Sequence, residues 1–410
     1  MPSSGTYERR ALASPGQTGE FRGMSNHTSP AAESLTHPNV PVWEDGAWSP
    51  LPELRESIDA DVCVIGIGGS GLTAIEELQA RGLSVVAIDA ADVGAGAAGR
   101  NGGFLLAGAY DFYHDAVRLH GRARAQFVYQ STLAEMQRMA HAAPGTVRFV
   151  GSRRLAADAW EIDDCRAQMA AMHDDGLLCE WREDHDGVGL YLPADASFNP
   201  LARCRILAQR AIANGAHLFA RTPMLSIDGT RVVTPHAAVH ARKVIVAVDG
   251  YLERVLPELS GRVRTARLQM LSTAPTTERV VACPMYYREG YEYWQQTPDG
   301  RVAIGGFRDK AGESEWSFDA VPTAPVQSML ERFVRDTLGV HAPIEHRWAA
   351  CAAYSDNGLP VLREVRPGVF AIGGYSGTGN VIGALCGRAV VALAVDGNPQ
   401  PALDLVGTLR

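Results

Sequence analysis

A continuous apolar run at residues 61–65, of strand length, leads directly into the glycine-rich sequence GIGGSG at residues 66–71. A helix is predicted next, because apolar residues recur at helical spacing and Gly82 stands just past the last of them. The apolar residues of this helix face are Leu72, Ile75 and Leu78. A second apolar run at residues 83–88 predicts a buried strand that ends at Asp89. Together these elements predict a β-α-β unit, whose short crossover indicates a parallel sheet.

The rest of the chain alternates between helical and extended patterns. Helices are predicted at residues 119–140, 163–172 and 199–215. Strands are predicted at residues 231–233, 243–248, 280–283, 291–296 and 301–305. The sequence TPDG at residues 297–300 predicts a turn between the last two strands, since proline presets the first turn position and glycine tolerates positive φ. The end repeats the opening order, with a strand at 369–372, a glycine-rich loop at 373–379 and a helix at 381–395.

Composition indicates the size of the fold and its setting. The 410 residues are 46% hydrophobic and 20% charged, which allows a large core and favours two closely joined domains. The net charge of -8 and the pI of about 5.9 give no electrostatic reason to bind nucleic acid or an anionic membrane, so a small-molecule substrate is expected. The seven cysteines form no C-x-x-C pair and no cluster with metal-ligand spacing, which predicts neither a metal site nor a disulfide framework.

The ends of the chain bear on its location. Residues 1–40 are rich in Pro, Ser, Gly and Thr without hydrophobic periodicity, which predicts a disordered tail, and Met24 within it is an alternative start. No charged and apolar leader opens the chain. The apolar stretch 381–395 is interrupted by Arg388 and is too short to span a bilayer. The sequence therefore predicts a soluble cytoplasmic protein.

The glycine loop has the spacing of a dinucleotide-binding site. Glycines at 66, 68 and 71 permit a tight turn, close approach of the backbone to a pyrophosphate, and close packing of helix on strand. Asp89 follows Gly71 by eighteen residues, where a carboxylate can accept hydrogen bonds from ribose hydroxyls. The alternative is a purely structural turn, but strand, loop, helix, strand and acid all stand in the expected order.

A second glycine-rich loop decides between NAD and FAD. A simple nicotinamide domain would continue into further β-α units, whereas here Asp89 is followed by VGAGAAGRNGG at residues 93–103. Such a run leaves backbone amides free to surround an extended anion, with Arg100 close enough to contribute. A flexible surface loop of the same composition is the alternative.

These motifs together resemble the D-amino acid oxidase-like family of FAD-dependent amine oxidases, which includes glycine oxidase, sarcosine oxidase and gamma-glutamylputrescine oxidase. The resemblance extends from about residue 58 to 400. Besides the two glycine loops, it rests on VIVAVDGY at 244–251, YWQQTPDGRVAIGG at 293–306, RWAACAAYSDNGLPVL at 347–362 and AIGGYSGTGN at 371–380.

The resemblance implies an α/β fold with two parts. The first is a Rossmann-like FAD-binding domain of the glutathione-reductase type, assembled from residues 56–110, 199–257 and 345–400. The second is an α+β substrate domain with an antiparallel sheet, formed by residues 111–198 and 258–344. The oligomeric state is left open.

The resemblance also implies which residues hold the cofactor. One group holds the ADP half, a second runs beside the pyrophosphate and flavin, and a third faces the flavin pyrimidine edge; the backbone of Met224 contacts adenine. In that order, these groups are Gly66, Gly68, Gly69, Ser70, Gly71 and Asp89; Arg100, Asn101, Gly102 and Gly103; and Gly374, Tyr375, Ser376, Gly377, Thr378, Gly379 and Asn380. The third group makes physical sense, since a helix N-terminus stabilises negative charge.

The substrate side departs from family members that oxidise free amino acids. Those members fix the substrate carboxylate with two arginines, and the matching positions here are Ala352 and Gly377. An amine is therefore expected as substrate, unless Arg308 or Arg347 supplies a carboxylate contact from another direction.

The candidate catalytic residues are Tyr293, Tyr375 and Arg308. Tyr293 matches a tyrosine that lines the substrate site in the family, and further aromatic residues could complete a wall that holds an amine by apolar and cation–π contact. These further residues are Tyr287, Trp294 and Tyr354. Ordinary core packing is the alternative for any aromatic residue in a strand.

Two positions bear on how the cofactor is held and reoxidised. Cys351 lies one residue from the covalent flavin attachment point of sarcosine oxidase, and an offset of one reverses side-chain direction in a strand, so noncovalent FAD is expected. The lysine that activates oxygen in that enzyme matches Ile304 here, so dioxygen as acceptor is implied by the family only. No histidine is nominated as general base.

The sequence therefore predicts FAD-dependent oxidation of the C–N bond of a small amine, with hydrogen peroxide as coproduct if dioxygen is the acceptor. Two alternatives are a dehydrogenase of amino acids or hydroxy acids that uses another electron acceptor, and a flavin-binding subunit without turnover.

Overall fold

A computed structural model of the protein describes residues 39–409, so most of the predicted tail at residues 1–40 lies outside the described residues. In chain order its strands are β1 (Ile58–Ile65), β2 (Val85–Ile88), β3 (Phe104–Leu105), β4 (Val147–Arg148), β5 (Ser152–Leu155), β6 (Glu180–Asp184), β7 (Gly187–Leu192), β8 (Ala196–Phe198), β9 (His217–Phe219), β10 (Ser226–Asp228), β11 (Arg231–Val233), β12 (Ala238–Val246), β13 (Val263–Pro275), β14 (Met285–Tyr287), β15 (Glu292–Gln296), β16 (Arg301–Gly305), β17 (Ile344–Ser355), β18 (Val361–Arg366) and β19 (Val369–Gly373).

The α-helices are α1 (Gly69–Ala80), α2 (Ala97–Arg100), α3 (Tyr113–His120), α4 (Arg122–Ala142), α5 (Ala159–Asp174), α6 (Pro200–Ala213), α7 (Leu252–Val255), α8 (Arg308–Ala311), α9 (Ala324–Arg332), α10 (Ile382–Val395) and α11 (Gln400–Val406). Short helical turns of other types lie at Pro257–Leu259, Arg288–Gly290, Gly312–Glu315 and Phe333–Thr337.

The predicted β-α-β unit forms the centre of the first sheet. The order is β10-β11-β12-β1-β2-β9, with β19 on β12 and β18 on β19. Strand β1 pairs in parallel with both β2 and β12, and β12 pairs in parallel with β19. The predicted apolar face of α1 is fully buried against this sheet, and Gly82 (φ +72°) follows its end. Apolar side chains cover both faces of the sheet, which is typical of parallel sheets.

The second sheet has the order β17-β13-β16-β15-β14-β5-β7-β6 and is antiparallel except where β14 meets β5. The predicted hairpin joins β15 to β16, and its turn closes with a hydrogen bond of 2.9 Å from the Gly300 amide to the Thr297 carbonyl oxygen. A small third sheet, β3-β8-β4, lies apart from both. The prediction of an α/β fold with an additional antiparallel sheet is confirmed.

Three predicted elements differ from the observed ones. Residues 280–283 are not a strand, and pairing starts instead at β14 after Pro284, which has no amide hydrogen to donate. Gly121 (φ +84°) separates α3 from α4, so the helix predicted from residue 119 begins later. Strand β10 begins at Ser226, and Met224 precedes it as a partly buried packing residue.

The division into two domains remains a prediction, and one strand crosses it. Strand β17, apart from its first residue Ile344, falls within the residues assigned to the cofactor domain, yet it pairs along its length with β13 in the second sheet. The ladder between β17 and β13 is long and antiparallel, whereas beyond β12 the first sheet continues with β19 and then β18. Strand β17 therefore belongs to the second sheet.

Candidate functional site

Two glycines of the GIGGSG segment, which spans the loop after β1 and the first residues of α1, are required by the backbone itself. Gly66 has φ +104°, and a Cβ there would lie 2.5 Å from the Ala247 carbonyl oxygen. A Cβ on Gly71 would lie 2.0 Å from the Gly66 carbonyl oxygen. The loop thus approaches the segment after β12 at Gly66, and α1 approaches the loop at Gly71, so closely that no side chain fits at either position. Ser70, the second residue of α1, is buried.

The other two glycines keep a surface open. Gly68 and Gly69 are partly exposed. A Cβ on Gly68 would approach only Ala98 Cβ, at 3.2 Å, and a Cβ on Gly69 only Arg203 Nη1, at 3.5 Å. This open surface lies in front of the first turn of α1, whose amides have no intrahelical partners and suit an anion.

Asp89 connects the end of β2 to this loop. Its carboxylate accepts hydrogen bonds from the Ile67 amide at 2.9 Å and the Ala91 amide at 2.8 Å. Burial raises its pKa, and the two amides act in the opposite direction. Asp89 therefore shapes the glycine loop directly, in addition to the ribose contact predicted for it.

The RNGG loop, residues 100–103, has all four carbonyl oxygens held by side-chain donors. The Trp348 indole donates to the first at 2.7 Å and the Trp43 indole to the second at 2.8 Å. The Gln295 amide donates to the third and, at 2.9 Å, to the fourth. Carbonyl oxygens that would repel an anion are thus held against the protein. Sequence reasoning missed these three donors, since each stands in a segment whose pattern indicates only packing.

The Arg100 side chain is directed away from the role expected of it. Its guanidinium donates to the Ala349 carbonyl oxygen at 2.9 Å and to the backbone and side-chain oxygens of Asn39. These contacts fasten the loop to β17 and to the N-terminal segment. The prediction that Arg100 assists in surrounding the pyrophosphate is therefore replaced by a structural role for its side chain.

The structure brings the RNGG loop and the last glycine loop together. Asn101 and Asn380 exchange reciprocal amide hydrogen bonds of 2.9 and 3.1 Å. Between β19 and α10, positive φ angles occur at Gly374, Ser376 and Gly377, and such angles in a non-glycine residue are typical of functional loops. Thr378 and Gly379 begin the turn that leads into α10, where their carbonyl oxygens accept hydrogen bonds from the helix.

The Tyr375 side chain lies in the core and does not line the cavity that Ser376 and Gly377 border. It is 4% exposed, and its ring packs against Gly379 and Gly383 next to Ser70, within the apolar core of the first sheet. Its backbone amide donates to Asp249 at 3.2 Å, which fixes the residue in that direction. The expectation that the Tyr375 side chain belongs to the aromatic wall is therefore not met, and its role beside the flavin stays a prediction.

A cavity of about 2640 Å³ extends from the RNGG loop and the last glycine loop across the second sheet. Tyr293 lines the cavity beside the RNGG loop, since a Cβ on Gly102 would lie 3.0 Å from its ring, and it packs edge-on against Phe104. Burial raises the pKa of Tyr293, and its hydroxyl makes no hydrogen bond to another described residue. The residues that line this part of the cavity include Tyr110, Tyr291, Tyr293, Arg308, Trp316 and Tyr354, and other arginines, among them Arg264 and Arg288, line the cavity as well.

Trp294, a predicted wall residue, is instead buried in the core of the second sheet, and Tyr287 packs against the same core. Neither lines the cavity. Tyr354 does, as predicted from the aromatic pattern. The alternation of side chains along β15 explains the difference, since Tyr293 and Trp294 must face opposite sides of the sheet.

Arg308 is a cation of the cavity with no carboxylate partner in residues 39–409. Its guanidinium lies 4.5 Å from the ring centroid of Tyr354 and 4.9 Å from that of Trp316. The nearest acids along the chain are already paired, Asp309 with Arg288 and Glu313 with Arg264. The chain turns sharply before Arg308, because Gly306 (φ +150°) and Phe307 (φ +62°) both adopt positive φ.

Arg347, the other arginine considered as a carboxylate contact, is committed elsewhere. It pairs with Glu331 at 2.6 Å and donates to Gln327, and it does not line the cavity.

Strand alternation also separates Cys351 from the site: Ala350 lines the cavity, whereas the Cys351 thiol faces the Ser317 carbonyl oxygen. This geometry supports the prediction of noncovalent FAD.

A buried carboxylate lines a different part of the cavity. Asp195 is 1% exposed and accepts hydrogen bonds from the Ser152 hydroxyl at 2.6 Å and the Ala107 amide at 2.8 Å. Burial raises its pKa to about 7. Sequence reasoning missed this group, because a single Asp in a turn has no distinguishing pattern.

Comparison with known proteins decides the family. Residues 61–393 match the family model DAO, described as FAD dependent oxidoreductase. The chain belongs to the DAO family. As a DAO-family protein it uses FAD, and the resemblance inferred from its motifs is confirmed.

Relatives of this DAO-family chain match over most of their length. A probable oxidoreductase OrdL of Rhizobium meliloti (strain 1021) is 26% identical, with 88% of each chain covered. The gamma-glutamylputrescine oxidoreductase of Escherichia coli (strain K12) is 26% identical over 84% of this chain and 86% of its own. The crystal structure of glycine oxidase from Geobacillus kaustophilus superposes with a TM-score of 0.69 at 19% identity, over 83% of this chain and 95% of the other, which shows a shared fold.

The residues present fit FAD. The open surface at Gly68 and Gly69 leaves room for a pyrophosphate, and the linked RNGG and last glycine loops border a cavity large enough for a flavin and a substrate.

No helix in residues 39–409 is long and apolar enough to cross a membrane.

Proposed function

We propose that this protein oxidises the C–N bond of a small amine that also carries an anionic group. Bound FAD supplies the two-electron acceptor for this reaction. The amine loses two electrons and two protons and becomes an imine, which water hydrolyses to a carbonyl compound with release of ammonia or the smaller amine. We further propose that dioxygen receives the electrons and leaves as hydrogen peroxide.

The observation that carries the substrate assignment is the unpaired Arg308 in a tyrosine-lined cavity beside the RNGG loop. A guanidinium without a carboxylate partner is suited to bind one from the substrate, because its planar fork matches a carboxylate in a bidentate pair. The same charge disfavours a substrate with a second ammonium group. Arg308 thus revises the expectation of a substrate without an anionic group, which rested on Ala352 and Gly377.

The surrounding residues position Arg308 and the substrate. Trp316 and Tyr354 contact the guanidinium through their ring faces and restrict its orientation. Tyr293, between Arg308 and Gly102, is placed to contact the part of the substrate nearest the flavin. A substrate bound by its anionic group at Arg308 would therefore present its amine end toward the RNGG loop, which is the positioning that this reaction requires.

The histidines that line the cavity are paired with acids. His114 contacts Asp164 at 2.9 Å, and His120 contacts Asp111 at 3.1 Å. We therefore assign no general base, and propose that the substrate reacts as its neutral amine. Positioning and exclusion of water then provide most of the catalysis.

The electron acceptor has a second candidate. Ile304 occupies the position of the oxygen-activating lysine of sarcosine oxidase, and it is fully buried in the core of the second sheet. A dehydrogenase that passes electrons to another acceptor is therefore the alternative. Hydrogen peroxide formed in proportion to substrate under air supports an oxidase, and turnover that needs an added quinone supports the dehydrogenase.

The reaction is tested by anaerobic stopped-flow spectroscopy, which follows loss of the oxidised-flavin absorbance. Each trial compares an amine with its carboxylated analogue and with the corresponding hydroxy compound. We expect the carboxylated amine to react fastest. Faster reaction of the hydroxy compounds would overturn C–N oxidation, and faster reaction of the uncarboxylated amines would overturn the anionic substrate. Absence of reaction across the panel would favour a flavin-binding subunit without turnover.

A further inference from the structure

One buried arginine in helix α6 has no partner. Arg203 is 4% exposed, and it forms no ion pair or side-chain hydrogen bond with another described residue. Its Nε is fully buried without an acceptor. Burial lowers its pKa, and the charges of Glu135 and Glu76, neither of which contacts the guanidinium directly, oppose that shift only in part.

The other buried arginines of the described chain show how unusual this is. Each of them has a carboxylate oxygen at 2.5–2.8 Å: Arg153 with Asp184, Arg154 with Asp164, and Arg267 with Glu315. An isolated charge taken out of water is strongly unfavourable, so buried charges are normally paired. Arg203 therefore indicates a missing anion.

The position of Arg203 identifies where that anion binds. Its Nη1 is the one atom that a Cβ on Gly69 would meet within 4 Å, so the guanidinium lies at the first residue of α1. The same helix, α6, packs Leu201 against Gly94 and Gly99 of the second glycine-rich segment. The guanidinium thus lies where the open surface of the glycine loop meets the N-terminus of α1.

We propose that the Arg203 guanidinium binds the pyrophosphate of FAD at the glycine loop and supplies its counter-charge. The free amides at the start of α1 provide hydrogen bonds and only a partial positive charge, whereas the pyrophosphate carries two negative charges. A full cation beside them completes the site. This role concerns the cofactor, which the family shows, and it is independent of the substrate proposed above.

The position of Arg203 in the helical pattern of α6 is consistent with this role. Arg203 stands on the buried face of α6, four residues before Leu207 and eight before Ala211, both fully buried. A cation at a core position of an amphipathic helix calls for a buried partner. Arg205, two residues later, lies on another face and pairs with Glu44 at 2.5 Å.

The test compares Arg203→Met and Arg203→Lys with the matched control Arg205→Met. Apoprotein is prepared from each, and binding of FAD and of ADP is titrated by fluorescence. We expect Arg203→Met to weaken both ligands by a similar factor, about ten- to a hundredfold, which is the scale of one hydrogen-bonded charge. Arg203→Lys should fall between, since it keeps the charge without the planar fork, and Arg205→Met should bind as the wild type does.

Thermal unfolding of the apoproteins separates a binding role from a structural one. Because an unpaired buried charge opposes folding, Arg203→Met apoprotein should melt at or above the wild-type temperature and gain less from FAD. A lower apoprotein melting temperature, failure to fold, or unchanged FAD and ADP affinity would each overturn the proposal. None of these measurements depends on turnover, so a failed substrate panel leaves this result readable.

Discussion

Replacing Arg308 by methionine removes a cation of the cavity that has no carboxylate partner among residues 39–409, while keeping a long, flexible side chain. Arg308 contacts the rings of Tyr354 and Trp316 and lacks a carboxylate partner in the described chain, so little in the fold depends on its charge. Folding and FAD affinity should therefore persist. The change should act on substrates that carry an anionic group.

The expected loss follows from what the guanidinium contributes. A hydrogen bond to a charged group is worth about 1.5–3 kcal/mol, and each 1.4 kcal/mol corresponds to about tenfold. Arg308 is only partly buried, so solvent screening favours the lower half of that range. We expect kcat/KM for a carboxylated amine to fall about 10- to 50-fold in Arg308→Met, mostly through KM.

The assay pairs the carboxylated amine with its uncharged amide, for wild type, Arg308→Met and the control Arg347→Met. Arg347 is already paired with Glu331 outside the cavity, so its removal should leave both kinetic constants near wild type. In Arg308→Met the amide should react almost as it does in wild type. Equal losses for the carboxylate and the amide would mean that Arg308 only shapes the cavity, and no loss for either would refute a contact with the substrate.

Three further predictions address the cofactor and the core. Gly68→Ala should fold but bind FAD at least tenfold more weakly, because its Cβ would meet only Ala98 in the protein and would occupy the open surface. Gly71→Ala should instead destabilise the apoprotein by about 3 kcal/mol or more, because its Cβ would overlap the Gly66 carbonyl oxygen. FAD titration and apoprotein melting distinguish the two effects, and full FAD occupancy in Gly68→Ala would contradict the predicted position of the pyrophosphate. Acid denaturation should release FAD into the supernatant, because Cys351 faces away from the cavity; flavin retained in the precipitate would show a covalent bond. The pKa of Asp195 is raised to about 7, against about 3.9 in an unfolded chain. This difference contributes to the free energy of unfolding below pH 4, and the contribution is lost as the pH rises through 7. Each pKa unit of the difference corresponds to at most about 1.4 kcal/mol. Melting curves at pH 5 and pH 8 should show this dependence in wild type and a flatter one in Asp195→Asn; parallel curves would rule it out.

Local patterns were sufficient for the parts of the fold that depend on neighbouring residues. The glycines at 66 and 71 and the turn at 297–300 have positions fixed by backbone sterics, which act within a few residues. The apolar face of α1 likewise follows from helical spacing. The order of loops that leads to FAD could therefore be predicted without the structure.

Contacts between distant segments could not be predicted in this way. Trp43 and Gln295 reach the RNGG loop from positions 58 residues before it and more than 190 residues after it. The direction of Tyr375 depends on the amide contact with Asp249 and on positive φ angles around it, which no residue pattern reveals. The pairing that leaves Arg308 free depends in the same way on which arginines reach Asp309 and Glu313.

The three side chains that donate to the RNGG loop carbonyl oxygens, Trp43, Gln295 and Trp348, have a consequence for protein engineering. They come from the N-terminal segment, from β15 and from β17, so one side of the cofactor site is built by the antiparallel sheet. A chimera that exchanged this sheet for that of a relative, in order to change substrate range, would also replace the side chains that hold the RNGG loop. Transplanting Gln295 and Trp348 together with the retained loop would keep its backbone in place, and an isolated dinucleotide-binding half would lose that support.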